Sequence, residues 1–290
     1  MDKAAGQADP TGVSPINFTA TFTETVYGFD GLDVSLVNAT VANVTPATPG
    51  TTYNVAVSNM TGSGVDVTAS LAAGKVTDAA GNGNTASTST DNSVRYDSAA
   101  PVASINLQAA SDSGISNADN ITNAASLIFD VSFNKTVTGL ATGDFSNQGT
   151  ATGCVFANVT GSGTAYTVTV NNCSNGTVIV RLAASAVLDG ASNPNAQTDG
   201  PIVTIDRVAP TVTINQASGQ ADPTNASPIN FSVVFSETVT NFATGDVTLS
   251  GGAGATTADV TGSGTTYNVA VSGMVLNGTV TASINAGAAT

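Results

Sequence analysis

Residues 6–34 read GQADPTGVSPINFTATFTETVYGFDGLDV, and residues 219–247 read GQADPTNASPINFSVVFSETVTNFATGDV. A more divergent copy lies between them. Leu127-Ile-Phe-Asp-Val-Ser-Phe133 matches Ile229-Asn-Phe-Ser-Val-Val-Phe235, and VTGSG at 159–163 returns at 260–264. The repeat length of about 106 residues exceeds the roughly 20–50 of a solenoid unit and has the size of a whole domain. The chain reads as an array of like modules, an organisation that sets length, spacing or valency.

Within each copy apolar residues alternate with Thr, Asn and Ser. Ile16, Phe18, Ala20 and Phe22 form one such run; Leu127, Phe129, Val131 and Phe133, then Ile229, Phe231, Val233 and Phe235, repeat it. A second run starts at a tyrosine: Tyr53, Val55, Val57; Tyr166, Val168, Val170; Tyr267, Val269, Val271. A third comprises Val67, Ala69, Leu71; Val178, Val180, Leu182; Val280, Ala282, Ile284. Period-two alternation predicts strands with one apolar face, as when two antiparallel sheets pack face to face. Turn signals such as Gly62-Ser-Gly64, Gly161-Ser-Gly163 and Asp78-Ala-Ala-Gly-Asn82 separate the runs. About seven short strands per hundred residues point to an all-β chain of immunoglobulin-like β-sandwich modules, arranged end to end.

Each module closes on an aspartate and reopens on a proline: Asp97-Ser-Ala-Ala-Pro101 and Asp206-Arg-Val-Ala-Pro210. A proline at a strand start costs no ladder bond and stiffens the linker. The expected modules are 1–97, 98–206 and 207–290. Module one has only Met1-Asp-Lys-Ala-Ala where its first strand should finish, and Thr290 aligns with Thr77, ahead of the last strand. Both ends are expected to be cuts through a longer array; two incomplete domains are the alternative.

Composition narrows the function. Charged residues are 9% of the chain, and 20 acidic residues face 6 basic ones for a formal charge of −14. The basic residues are scattered singly, so no stripe exists to track phosphates, and nucleic acid is not an expected partner. Attraction to an anionic membrane is equally unsupported. No apolar run reaches the roughly 18 residues that span a bilayer, so no membrane insertion is expected in this segment. The first residues lack the apolar stretch of a signal peptide; a secreted protein would carry its signal elsewhere. There is no histidine, which excludes His-based triads, His-ligated zinc and imidazole acid–base steps. Asp33, Asp144 and Asp246 recur once per module, as capping or turn residues would. No catalytic constellation assembles, and no enzyme is expected.

Phe235-Ser-Glu-Thr-Val-Thr-Asn-Phe242, Gly245-Asp246-Val247, TGSGTTYNV at 261–269 and Asp78-Ala-Ala-Gly-Asn82 together resemble the bacterial Ig-like repeats of large surface proteins and adhesins. The resemblance covers the chain three times over. It implies a β-sandwich fold, an extracellular or bacterial cell-surface setting, and a role as stalk or extender. The partners would then be neighbouring repeats of the same chain, and a surface or matrix ligand held by other domains. A glycan- or protein-binding module of a secreted protein is the alternative function. Glycan platforms use exposed aromatics, and this chain has no Trp.

Some relatives bind Ca²⁺ between modules. In an Ig-like sandwich the second-to-third-strand loop and the last hairpin loop face the preceding module. Glu237 lies there in module three; Lys135 and Asp189 lie there in module two. The linkers add Asp97 and Asp206, and the first-to-second-strand loops offer Asp9 and Asp119. Ca²⁺ takes 6–8 oxygen ligands. Asp206, Glu237 and Asp119 are the expected set at the second junction. At the first, a Lys135–Asp97 ion pair is expected to replace the metal. That all these acids are turn and capping residues is the competing account, and both stand at this point. The middle copy departs most, with Asn134-Lys135 in place of Ser-Glu and Asp189-Gly-Ala-Ser-Asn193 in place of DAAGN.

Cys154 and Cys173 flank a hairpin. Folding it at 162–165 sets Val159 opposite Val168 and Ala157 opposite Val170. Cys154 then meets Cys173 on the outer face, within disulfide reach at about 4.5 Å between Cα atoms. Two unpaired thiols are the alternative. Met60 and Met274 hold the Cys173 position in the other copies; if they face the core, a bulge interrupts the alternation.

Overall fold

A computed structural model describes all 290 residues. They form two compact units, Met1–Arg207 and Val208–Thr290. The first unit contains two hydrophobic cores and the second contains one.

The first sandwich sets a four-stranded sheet against a three-stranded one. The larger runs in the order Asp2–Lys3, Ile16–Val26, Gly50–Met60, Ala39–Thr45; the smaller joins Val34–Val37, Val65–Leu71 and Ser93–Tyr96. All these pairings are antiparallel. Ile16, Phe18, Val55, Val57, Val67, Ala69 and Val94 close on one another without solvent contact. All but Val94 are apolar members of the alternating runs, so the period of two decides which side chains leave water.

The second sandwich repeats the plan. Ser126–Thr138 lies between Val155–Asn171 and Ala103–Leu107, opposite a sheet of Phe145–Asn147, Gly176–Leu182, Thr198–Ile205 and Ile121–Thr122. The last pairing is parallel, and a parallel Thr11–Tyr96 bridge holds the same place in the first sandwich. In the second unit Val212–Gln216, Ile229–Val239 and Thr257–Ser272 form one sheet, and Val247–Ser250 pairs with Thr281–Ile284.

Two devices recur in every sandwich. The tyrosine that opens the second run donates its hydroxyl to a valine carbonyl: Tyr53 to Val26 (3.2 Å), Tyr166 to Val137 (2.9 Å) and Tyr267 to Val239 (3.1 Å). A buried phenol needs such an acceptor, and each bond ties two strands at their ends. Asp33, Asp144 and Asp246 each accept from the backbone N–H three residues earlier, at 3.0, 2.7 and 2.8 Å, across a 3₁₀ turn. They are caps, as their spacing implies.

Cys154 and Cys173 form a disulfide with Cα atoms 4.1 Å apart. Thr160 and Thr167 touch through their hydroxyls at 2.7 Å, as expected for opposed residues in this hairpin. The outer-face placement, however, is overturned: Cys173 is only 6% exposed and belongs to the second core. Asn172, at φ 61°, is left-handed and breaks the alternation one residue earlier. Asn59 (φ 53°) and Gly273 (φ 80°) do the same in the other sandwiches, turning Met60 and Met274 towards their cores. Asn and Gly are the residues that tolerate this conformation, which explains why only they occupy the site.

Candidate functional site at the first sandwich junction

The junction within the first unit is built from three loops and a linker. The Asp189–Asn193 loop is organised by its first residue. Asp189 Oδ1 accepts from the backbone of Ala191 (3.0 Å) and Asn193 (2.9 Å), with Ser192 left-handed at φ 65°. The DAAGN loop of the first sandwich has the same form: Asp78 Oδ1 accepts from Ala80 and Asn82 at 2.8 Å each, and Gly81 takes φ 87°. Replacing that glycine by serine preserves the loop. Asp–x–x–x–Asn is the pattern that matters, because the aspartate satisfies the turn's backbone donors.

Lys135 projects into this loop. Its Nζ lies 2.8 Å from both carboxylate oxygens of Asp97 and 3.1 Å from Asp189 Oδ2, and it also donates to the carbonyl of Ala99. Asp189 is nearly buried; the side chains of Lys135 and Asp97 are each 24% exposed. Asp97 is held on its other side by the Ser63 hydroxyl at 2.9 Å, and that oxygen accepts from the backbone of Ser98 and Ala99. Asn193 Nδ2 donates to the Asp97 carbonyl at 2.6 Å, and Gly12 N donates to the Ala191 carbonyl at 3.1 Å.

These contacts set the local charge states. The Lys135 ammonium holds the Asp97 carboxyl below its ordinary range, against the opposing effect of burial. For Asp189 burial works upwards, yet donors from Asn193, then Lys135 and Ala191, bring the net shift below the usual value. Burial depresses Lys135, but bonds to Asp97 and Asp189 outweigh it and leave the ammonium harder to deprotonate. The junction is therefore one cation seated between two anions.

The structure brings together Lys135, Asp97 and Asp189 at the first junction. Asp9 does not reach this cluster: its carboxylate accepts from the Arg95 backbone (2.9 Å) and from Lys3 (3.3 Å). Asp119 accepts from the backbone of Ile121 at 3.0 Å as a turn residue. Asp206 N donates to the Thr122 carbonyl, and the following Arg207 spreads its guanidinium over the carbonyls of Asn123 (3.1 Å), Ala124 (2.6 Å) and Cys173 (2.8 Å). Arg207 thus completes the first unit, one residue beyond the expected module boundary. Glu237 lies on the Ile229–Val239 strand of the second unit. Within either unit, no three acidic side chains gather at a metal's spacing. At the first junction the Lys135 ammonium holds the place among the oxygens that a Ca²⁺ ion would need, so the residues present do not fit the metal there.

Sequence reasoning did not reveal Ser63, Asn193 and Arg207 as junction residues. Asn193 left one trace, its place as the last residue of a five-residue loop that varies in the middle. Ser63 was legible only as part of the Gly62-Ser-Gly64 turn, and Arg207 only as part of the Asp206–Pro210 linker.

Two sheets of matching topology, tyrosine anchors and aspartate-built loops now describe the first sandwich. Residues 6–96 match the family model described as a bacterial Ig-like domain. No curated protein matches the chain. The bacterial Ig-like match ends at Tyr96, one residue before Asp97 begins the junction. The Lys135 network therefore joins this Ig-like module to the next sandwich. No helix is long and apolar enough to cross a membrane.

Proposed function

We propose that the chain is a non-catalytic structural segment of a bacterial surface-attached or secreted protein, and that its Ig-like sandwiches space a binding domain carried elsewhere. The observation supporting this reading is the first junction. Polar contacts join the linker and the first sandwich to loops of the second: Lys135 to Asp97 and Ala99, Asn193 to Asp97, and Gly12 to Ala191, with the Lys135–Asp189 contact inside the second sandwich orienting the lysine. A spacer has to resist bending where its modules meet, and a hydrogen-bonded, partly desolvated ion pair does so better than an open linker. Backbone ¹⁵N relaxation tests the idea. The two sandwiches of Met1–Arg207 should share one rotational correlation time, and independent tumbling would reject the spacer reading.

Glycan recognition is the competing function. Most of the aromatic rings that a sugar platform would use are packed inward, in clusters such as Phe22–Phe29–Tyr53 and Phe235–Phe242–Tyr267. Saturable binding on a glycan array would reverse the order of the two readings. Ca²⁺ belongs to the proposal only at the second linker, with Asp119, Asp206 and Glu237 as its candidate ligands. Calorimetric titration decides this: no heat of Ca²⁺ binding in the native chain, or the same heat in Glu237→Gln, would remove the metal.

A further inference from the structure

One buried carboxylate oxygen of the second sandwich has no hydrogen-bond partner. It is Oδ1 of Asp112, a residue only 5% exposed. The other oxygen, Oδ2, accepts from the backbone of Asn120 at 3.0 Å and closes the segment between them into a loop. The residues flanking Asp112 and closing the loop have their polar groups matched. Ser111 Oγ accepts from Ile128 N (2.9 Å), and Thr122 Oγ1 donates to the Ser111 carbonyl (2.7 Å). Ser113 Oγ accepts from Asn123 N (3.0 Å) and donates to Asn123 Oδ1 (2.8 Å). A carboxylate oxygen withdrawn from water needs a donor or a cation, because burial without either is costly.

The loop belongs to this sandwich alone. Gln7 and Gln220 each accept, through Oε1, a backbone N–H near the start of the following strand, from Asn17 and Asn230; Ser111 does the same for Ile128. From Gln7 to Thr11 and from Gln220 to Thr224 the connection is Ala-Asp-Pro. From Ser111 to Thr122 it is Asp112-Ser-Gly-Ile-Ser-Asn-Ala-Asp-Asn-Ile121, ten residues in place of three. The added length brings the buried acid, the hydroxyls of Ser113 and Ser116, the amide of Asn117 and a run of backbone carbonyls. Gly114, at φ 117°, supplies the turn that only glycine makes without strain.

We propose that this loop is a Ca²⁺ site within the second sandwich, with Asp112 Oδ1 as its anionic ligand and neutral oxygens of residues 113–119 as the others. Every available donor is an oxygen. The chain has no histidine and both cysteines are in the disulfide, so soft and borderline metals find no ligands. Ca²⁺ accepts 6–8 oxygens in irregular geometry, carbonyl and amide oxygens included, whereas Mg²⁺ demands a near-ideal octahedron and keeps its waters. One buried carboxylate supplies little charge, which places the dissociation constant at about 10⁻⁴–10⁻³ M, the range of extracellular modules. The site needs neither Asp206 nor Glu237 and is separate from the candidate at the second linker. Its structural effect follows from Asn120, whose carbonyl accepts from Thr204 on the last strand at 2.8 Å. A cation that orders the loop thereby also fixes the parallel pairing of Ile121–Thr122 with that strand.

The test is an NMR titration of the full ¹⁵N-labelled chain with CaCl₂ at constant ionic strength. Saturable shifts of the Ser113–Asn120 amides are expected, half complete at about 0.1–1 mM, and none with MgCl₂. Asp112→Asn keeps the shape of the side chain and removes its charge, and should weaken binding at the loop at least tenfold. A second variant covers the case in which that one fails to fold. It replaces residues 112–121 by Ala-Asp-Pro, the connection of the other two repeats. Its melting temperature should ignore Ca²⁺, while that of the second sandwich with the loop intact should rise. Both chains are melted with Glu237→Gln present, which removes the candidate site at the second linker. Glu237→Gln by itself should leave the loop shifts unchanged, so the two sites are scored apart. No saturable shift by about 10 mM Ca²⁺, ten times the weakest expected constant, would overturn the proposal. An equal response to Mg²⁺, unchanged binding in Asp112→Asn, the same Ca²⁺ response in the shortened chain, or loss of the loop shifts in Glu237→Gln would overturn it as well.

Discussion

Gly12 and Asn193 approach so closely that a Cβ on Gly12 would fall on Asn193 Oδ1. Asn193 cannot swing away freely, because its amide is committed to the Asp97 carbonyl and to Asp189. This one contact limits how near the 9–12 loop and the Asp189–Asn193 loop can come. Residue 225, the counterpart of Gly12 in the last repeat, is an asparagine. The close approach is therefore a property of this junction and not of the repeat.

Gly12→Ala should separate the two loops at a cost of about 1–3 kcal/mol, the usual range for overfilling a packed contact. Hydrogen exchange is the measurement. The amide of Gly12 should lose protection while those of Val55 and Val168, deep in the two cores, keep theirs. Unchanged protection at Gly12 would show that the loops do not depend on the contact.

Lys135→Met removes the cation and leaves Asp97 and Asp189 facing each other. Breaking a fully buried pair costs about 3–5 kcal/mol. Here Lys135 and Asp97 keep a quarter of their exposure, so screening reduces the expected loss to about 1–2 kcal/mol. Urea unfolding of the chain reads the difference.

Lys135→Glu installs the residue type that Glu24 and Glu237 hold in the other repeats and sets a third carboxylate beside Asp97 and Asp189. Without metal the variant should be less stable than Lys135→Met, through like-charge repulsion. Millimolar Ca²⁺ should restore part of the loss, since three carboxylates and the Ala99 carbonyl begin to resemble an oxygen cage. Differential scanning calorimetry with Ca²⁺ and with chelator is decisive. A variant indifferent to Ca²⁺ would mean that the loops cannot adopt a metal geometry.

The pH dependence follows from the direction of each shift. Asp97 and Asp189 have lowered folded values, so their stabilisation is complete above the unfolded carboxylate pKa of about 3.9 and disappears as pH falls through the lower folded values. Lys135 is raised, so its contribution is complete below about 10.4 and disappears as pH climbs through the higher folded value. The junction should therefore hold steady from about pH 4 to pH 10 and loosen outside that window. A melting temperature of the first unit that varies steeply between pH 5 and 8 would contradict this.

Cys154→Ala/Cys173→Ala opens a loop of sequence separation 19 in the second sandwich. Chain-entropy arguments place the loss near 3 kcal/mol for a loop of this length, and the emptied site beside the core adds to it. Chemical denaturation should show the second sandwich weakened and the first unaffected.

The strands were legible because their rule is local. Ile16, Phe18 and Ala20 face one way for the same stereochemical reason that Asn17 and Thr19 face the other, and no distant contact is needed to establish this. The caps at Asp33, Asp144 and Asp246 and the Cys154–Cys173 pairing were legible for a related reason. Each depends on residues brought together within one turn or one hairpin. The inward placement of Cys173 was not legible, because a single left-handed residue, Asn172, reverses the face, and asparagine is compatible with either hand.

By itself, then, the sequence determined the repeat, the alternating strands, the turn caps and the absence of imidazole chemistry, all of which are set by composition or by neighbours a few positions apart. The tertiary structure alone decided that Asn193 would reach Asp97 across 96 positions, that Lys135 would meet Asp189 as well as Asp97, and that Arg207 would bind three carbonyls. Those contacts join loops from different strands and different sandwiches. Their distances depend on how the sheets twist and stack, which no short window of residues specifies.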